Sequence, residues 1–167
     1  LGFYAFCAAM CVFHPWATLV VFIIPFVAIR VLMMMGNWGQ HAFVDPDEPN
    51  NDYKSSITCI NARYNRRCFN DGYHISHHLM ANRHWTEHPD ELERNRDKYI
   101  ENDAIIFEGI DFFMVSVYLL LHRYETLADR FVELRDEPRS KDEIIALMKR
   151  RLARFSPPEL TAYAKAK

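Results

Sequence analysis

The first 36 residues, LGFYAFCAAMCVFHPWATLVVFIIPFVAIRVLMMMG, constrain the fold more than any other part of the chain. Residues 1–35 carry no acidic side chain and a single strong cation, Arg30. A run this long and apolar is not an ordinary amphipathic helix, because it has no polar face to turn to water. His14-Pro15 divides it, since the residue before a proline is pushed out of helical geometry. After that break, Trp16 to Met35 gives 20 residues, matching the roughly 20 that cross a hydrocarbon core. Trp16 suits an interfacial belt at one end, and Arg30 lies close enough to the other to snorkel. Residues 1–13 fall short of a span and read as the tail of a preceding membrane helix. The run has no basic leader, which argues against a signal peptide. A start at Leu1, inside apolar sequence, leads to the expectation of a C-terminal portion of something longer.

Nearly all the charge lies beyond this run, so the mean hydropathy of −0.21 describes neither part of the chain. A net charge of −2 gives no electrostatic case for nucleic acid as a partner. Lys54, Arg63, Arg66, Arg67 and Arg83 follow Gly36, whereas the His14-Pro15 turn has no Lys or Arg. The positive-inside rule therefore puts everything after Gly36 in the cytosol. Cys7, Cys11, Cys59 and Cys68 make no metal-binding or disulfide framework. Cys7 and Cys11, one helical turn apart, read as small buried hydrophobes.

Three later segments fill in the organisation. The stretch 45-DPDEPNND-52 lacks the EF-hand pattern and reads as a solvated loop. Residues 104–121 are apolar but interrupted by Glu108 and Asp111, and a membrane span would bury both carboxylates at several kcal/mol. They are expected as a helix packed on the preceding domain or lying at the membrane surface. Residues 140–155 open with the capping box Ser140-x-x-Glu143 and close on basic residues suited to anionic lipid. The tail after Pro157-Pro158 is expected to be poorly ordered. The predicted fold is all-α: a transmembrane helical hairpin over 1–36, a cytosolic histidine-rich metal-binding domain over 37–135, and a capped helix with tail over 136–167.

Five of the eight histidines fall between His74 and His88, in 70-NDGYHISHHLMANRHWTEHP-89. His74, His77 and His78 form H-x-x-H-H, which on a helix puts three imidazoles on one face. Neutral imidazole is a ligand for iron, zinc or copper. His41 lies at the end of the membrane helix, with Asn37 four residues earlier and on the same face if the helix continues. His84 and His88 are four apart, but Glu87 directly before His88 departs from the zincin H-E-x-x-H. They read as hydrogen-bonding supports of the site, with ligation left open. His14 is expected at the interface and His122 in a structural role.

Together these elements resemble the membrane-bound fatty acid desaturases and their di-iron relatives. In that family the last membrane helix runs into an Asn-x-x-x-His element, matched here by Asn37-Trp-Gly-Gln-His41. The final histidine box is matched by Asp71-Gly72-Tyr73-His74-Ile-Ser-His77-His78, and Trp85 and Pro89 correspond to residues that often follow it. The resemblance covers about residues 1–90. It implies that His41, His74, His77 and His78 are iron ligands and that Asn37 holds a metal-associated water. Asp71 would orient a ligand imidazole from behind, as metal-bound histidines usually require. The implied cofactor is a di-iron centre, fed by electrons from a cytochrome b5-type donor or ferredoxin. The implied reaction uses O2 to place a double bond in an acyl chain drawn from membrane lipid, at the endoplasmic reticulum membrane if the source is eukaryotic. The two upstream histidine boxes of the family are absent, so this chain alone is expected to be incomplete and inactive. A related di-iron lipid or alkane hydroxylase, and a non-catalytic membrane protein with a structural zinc, remain open as alternatives.

Overall fold

The computed structural model describes residues 1–153. Positions 154–155 of the expected C-terminal helix, and the tail after Pro157-Pro158, lie outside the described residues. The chain divides into two compact units, the first spanning Leu1–Gly36 and the second beginning at Asn37.

In the first unit α1 (Gly2–Phe13) ends at His14. Beyond it α2 (Pro15–Thr18), a π-helical turn (Leu19–Ile23) and α3 (Ile24–Gln40) follow without interruption. They form one helix, Pro15–Gln40, the only one among the described residues long and apolar enough to cross a membrane. It is longer than the predicted Trp16–Met35, and it accommodates a second proline, Pro25. A proline ring crowds the carbonyl four residues back, here that of Val21, and has no N–H to give it. The π turn directly before Pro25, where the Ile24 N–H bonds the Leu19 carbonyl, opens the helix at that level. Facing rings hold α1 alongside, with Phe3–Phe26 and Phe6–Phe22 centroids each 5.3 Å apart. Cys7 is buried there, but Cys11 is exposed, together with Val12 and Phe13 at the end of α1. The expectation that both cysteines are buried holds for Cys7 only.

The second unit is built around two four-residue strands, β1 (Ile57–Ile60) and β2 (Ile105–Glu108). They pair in parallel, Ile57 opposite Ile105 and Ile60 opposite Glu108. Strands paired this way cannot be joined by a tight turn and require a long crossover. Here the crossover is residues 61–104, and it contains the whole histidine-rich stretch. It comprises α5 (His74–Leu79), α6 (His88–Arg94) and α7 (Arg96–Glu101). Before β1 comes the single turn α4 (Asp52–Ser55), and after β2 come α8 (Phe112–Leu120), α9 (Tyr124–Ala128) and α10 (Lys141–Arg151).

Side chains alternate across a strand, so the pair supplies two cores. Ile57, Cys59, Ile105 and Phe107 join Phe43 and residues of α8, α9 and α10. Ile106 joins Ile75, Leu92, Tyr99 and Ala104 from the crossover. The last turn of α3 meets α8 closely: a Cβ on Gly39 would lie 2.3 Å from the Phe112 carbonyl oxygen and 2.4 Å from Ser116 Oγ. Only a residue without a side chain allows that approach, and it fixes the backbone just ahead of His41.

The fold is mostly helical, as predicted, with the strand pair as an unforeseen addition. The single helix expected over 104–121 is corrected to a strand and a helix. Gly109 takes a left-handed φ of 73° after β2, and Asp111 caps α8 by accepting from the Met114 N–H at 2.9 Å. The two acidic interruptions thus mark the end of one element and the start of the next. At 140–151 the capping box forms as expected, with Ser140 and Glu143 bonding each other's backbone N–H.

The reading of 45–52 as a solvated loop is corrected at Asp45, whose side chain is 3% exposed. Both its oxygens accept from Arg150 at 2.9 Å, and Arg151, equally buried, approaches at 3.5 Å. Arg150 from the surface and Arg151 from within therefore tie α10 to this loop. Burial alone would raise the Asp45 carboxyl, but the Asp47 amide, Arg150 and Arg151 outweigh it and hold it below its ordinary 3.8. A depressed native pKa contributes stability that is present above pH 3.8 and lost as the pH falls below it. Asp45→Asn should cost about 3–5 kcal/mol near neutral pH, because the buried Arg151 loses its paired carboxylate. It should also flatten the loss of stability below about pH 4. Denaturation of the detergent-solubilised chain across that range checks both, and unchanged stability would contradict this account.

Candidate metal centre

The approach to the histidine box is fixed by one amide side chain. Asn65 Nδ2 donates to the Cys59 carbonyl at 2.8 Å, while its Oδ1 accepts the Gly72 N–H at 3.0 Å. The Cys59 N–H donates in turn to the Gly72 carbonyl at 2.7 Å. Gly72 is thereby stitched to β1, where a Cβ would lie 2.2 Å from Asn65 Oδ1 and 2.5 Å from the Cys59 carbonyl. The glycine of Asp-Gly-Tyr-His answers to this close contact. From that anchor the chain turns at once into α5, and the i, i+3, i+4 spacing takes effect.

His41 comes one residue after α3 ends, its N–H bonded to the Trp38 carbonyl at 3.2 Å. Its Nδ1 lies 2.9 Å from the Ser55 carbonyl oxygen. A carbonyl only accepts, so Nδ1 carries the proton and Nε2 presents its lone pair. That Nε2 is 3.1 Å from His74 Nε2, which is itself 3.2 Å from His78 Nε2. The three histidines form a potential metal site whose ligand atoms lie within 4.8 Å of one another.

Electrostatics favour the ligand form. Burial pushes His74 down to about 3, with His78, His41 and His77 adding to the effect. His78 is also lowered, by burial and then by His41. Both are neutral at physiological pH, as metal binding requires. With Nδ1 protonated, each of the three Nε2 atoms would offer a lone pair to a shared cation. Two imidazoles about 2.1 Å from one ion stand about 3.0–3.4 Å apart, so the observed spacings fit a shared divalent metal.

The remaining predicted residues occupy other positions. His77 is exposed and stacks on His74 with centroids 5.7 Å apart. It lines a separate cavity of about 370 Å3 together with Asp71, His88 and Tyr64. Asn37 is exposed on the last turn of α3 and is not one of the three grouped residues. Asp71 accepts from the Tyr64 hydroxyl at 3.0 Å. Asp52 Oδ1 lies 3.7 Å from His78 Nδ1.

His84 is exposed, with its Nδ1 2.7 Å from Thr86 Oγ1. His88 is buried and bonds Ser76 Oγ through Nδ1 at 2.8 Å. Arg83 donates to the Ser76 carbonyl at 2.8 Å and to its hydroxyl at 2.6 Å. Burial and Arg83 lower His88, which keeps it neutral. Behind them Glu91 accepts from Tyr99 at 2.7 Å and lies 3.8 Å from Arg83. This network braces α5 through Ser76.

Sequence reasoning missed Asp52, Ser55 and Asn65. Asn51 ahead of Asp52 is a helix-start signal that would have found α4. No local pattern connects that turn to the box.

Gly72→Ala should lower stability by about 1–3 kcal/mol through overpacking and weaken metal binding by shifting His74. Thermal melting of the metal-free chain in detergent micelles checks this, and an unchanged midpoint would contradict it.

The sequence pattern of the family described as fatty acid desaturase matches residues 1–109. That stretch runs from the apolar unit through the box to the end of β2. No curated protein and no solved structure gives a match. The matched region is well over half of the 167 residues and includes all three grouped histidines, and the chain belongs to the fatty acid desaturase family.

Proposed function

We propose that the chain carries part of the ligand set of a di-iron acyl-chain desaturase, with His41, His74 and His78 holding one iron. The observation that carries this reading is the convergence of their three ligand atoms within 4.8 Å. His77, outside that group and beside the cavity, serves the second iron, and Asn37 holds a water on the metal. Four imidazoles and one amide do not fill two iron coordination spheres, so the second iron takes further ligands from outside this set.

When bound, a reduced di-iron pair activates O2, the oxidant that removal of hydrogen from an unactivated CH2 needs and no side chain supplies. The chain's own residues prepare the site. The Ser55 carbonyl holds the proton of His41 on Nδ1, burial keeps His74 neutral, and Asn65 with Gly72 sets the angle of α5. Family membership and the long apolar helix support a membrane-dissolved acyl chain as the substrate class. Two hydrogens leave adjacent carbons; with two electrons from a cytochrome b5-type donor or ferredoxin and two protons, they reduce O2 to two waters. The site faces the cytosol, at the endoplasmic reticulum membrane in a eukaryotic cell.

The test is metal and product analysis of the complete protein, expressed with saturated acyl substrates. Bound iron and a new olefin, both lost in His74→Ala, are expected. An oxygenated product without olefin, or stoichiometric zinc without O2 consumption, would overturn the desaturase reading.

A further inference from the structure

We propose that α4 is an outer clamp on the metal site, with Asp52 acting as the positioning residue for His78 as the Ser55 carbonyl does for His41. The inference rests on the reading of His41, His74 and His78 as one ligand set.

A histidine that binds metal through Nε2 carries its proton on Nδ1, and an acceptor there fixes the ring and strengthens the ligand. The first and last residues of α4 face two such atoms. The Ser55 carbonyl is 2.9 Å from His41 Nδ1, and Asp52 Oδ1 is 3.7 Å from His78 Nδ1. The second distance is an ion-pair separation, longer than a hydrogen bond. The Asp52 side chain is 43% exposed, so it is free to rotate onto the ring when the imidazole becomes a ligand.

The turn itself is held firmly for four residues. Asn51 accepts from the Tyr53 N–H at 3.1 Å and donates to Asn102 at 2.8 Å, which ties α4 to the end of α7. The Tyr53 ring meets Tyr99 edge-on with centroids 5.1 Å apart. The Asp45 N–H donates to the Lys54 carbonyl at 2.9 Å. By contrast, the buried Nδ1 of His74 has no hydrogen-bond partner among the described residues. The three ligands are therefore positioned by different means: His41 by a carbonyl, His78 by a carboxylate, and His74 by packing.

The test compares the full wild-type chain in detergent with Asp52→Ala and Asp52→Asn, titrated with Co(II) as a spectroscopic probe. Asp52→Ala is expected to bind Co(II) about 10-fold or more weakly, with an altered visible spectrum. Asp52→Asn, which keeps an acceptor oxygen, should recover most of the affinity. The metal-free chains should all melt together. Equal Co(II) affinity in wild type and Asp52→Ala would overturn the proposal. Equal weakening in both variants with a lowered metal-free melting point would also overturn it, by assigning Asp52 to the stability of α4. Failure of the wild-type chain to bind Co(II) would instead overturn the metal reading of the site, and the clamp with it.

Discussion

Parallel pairing of β1 with β2 is the constraint on which the second unit depends. Two strands of four residues cannot be stable alone, and their pairing obliges the chain to leave, travel and return on the same heading. The histidine box lies on that excursion, tethered through Ile57–Ile60 at one end and Ile105–Glu108 at the other. Each face of the pair seeds a core, so α5 packs on one side while α8 and α10 close the other. Two glycines complete the placement, Gly72 where the box meets β1 and Gly39 where the turn before His41 meets α8.

Within that frame the site accepts local costs. Burying an imidazole with an orphaned Nδ1, as at His74, is unfavourable unless something compensates. The Nε2 atoms of His41, His74 and His78 meet at 3.1 and 3.2 Å beside it. Local costs of this kind are expected where function overrides stability. The residues around them are otherwise well satisfied: Ser76, Arg83, His88, Glu91 and Tyr99 form a connected polar network behind α5.

Much of this was legible in the sequence because its signals are local. The apolar run, the break at His14-Pro15, the capping box at Ser140 and the H-x-x-H-H spacing each lie within a turn or a short window. What stayed hidden depends on distant partners. Residues 104–110 are as apolar as a buried helix, and only the register with 57–60 makes them a strand. Asp45 looked solvated because Arg150 and Arg151 lie at the far end of the chain. Asp52, which lies near His78, is likewise 26 positions away from it in the chain, whereas Asp71 is adjacent to the box. His77 shares the helix with His74 and His78, lies outside their group and lines a cavity with Asp71 and His88.

The most direct test of the central claim, that His41, His74 and His78 converge on one metal, is X-ray absorption at the metal edge of the Fe(II)-loaded chain. The account predicts a first coordination sphere of nitrogen and oxygen with the outer-shell scattering of imidazole, and a fall in that scattering when His41 is replaced by Ala. A first sphere containing sulfur, or one without imidazole scattering, would contradict it.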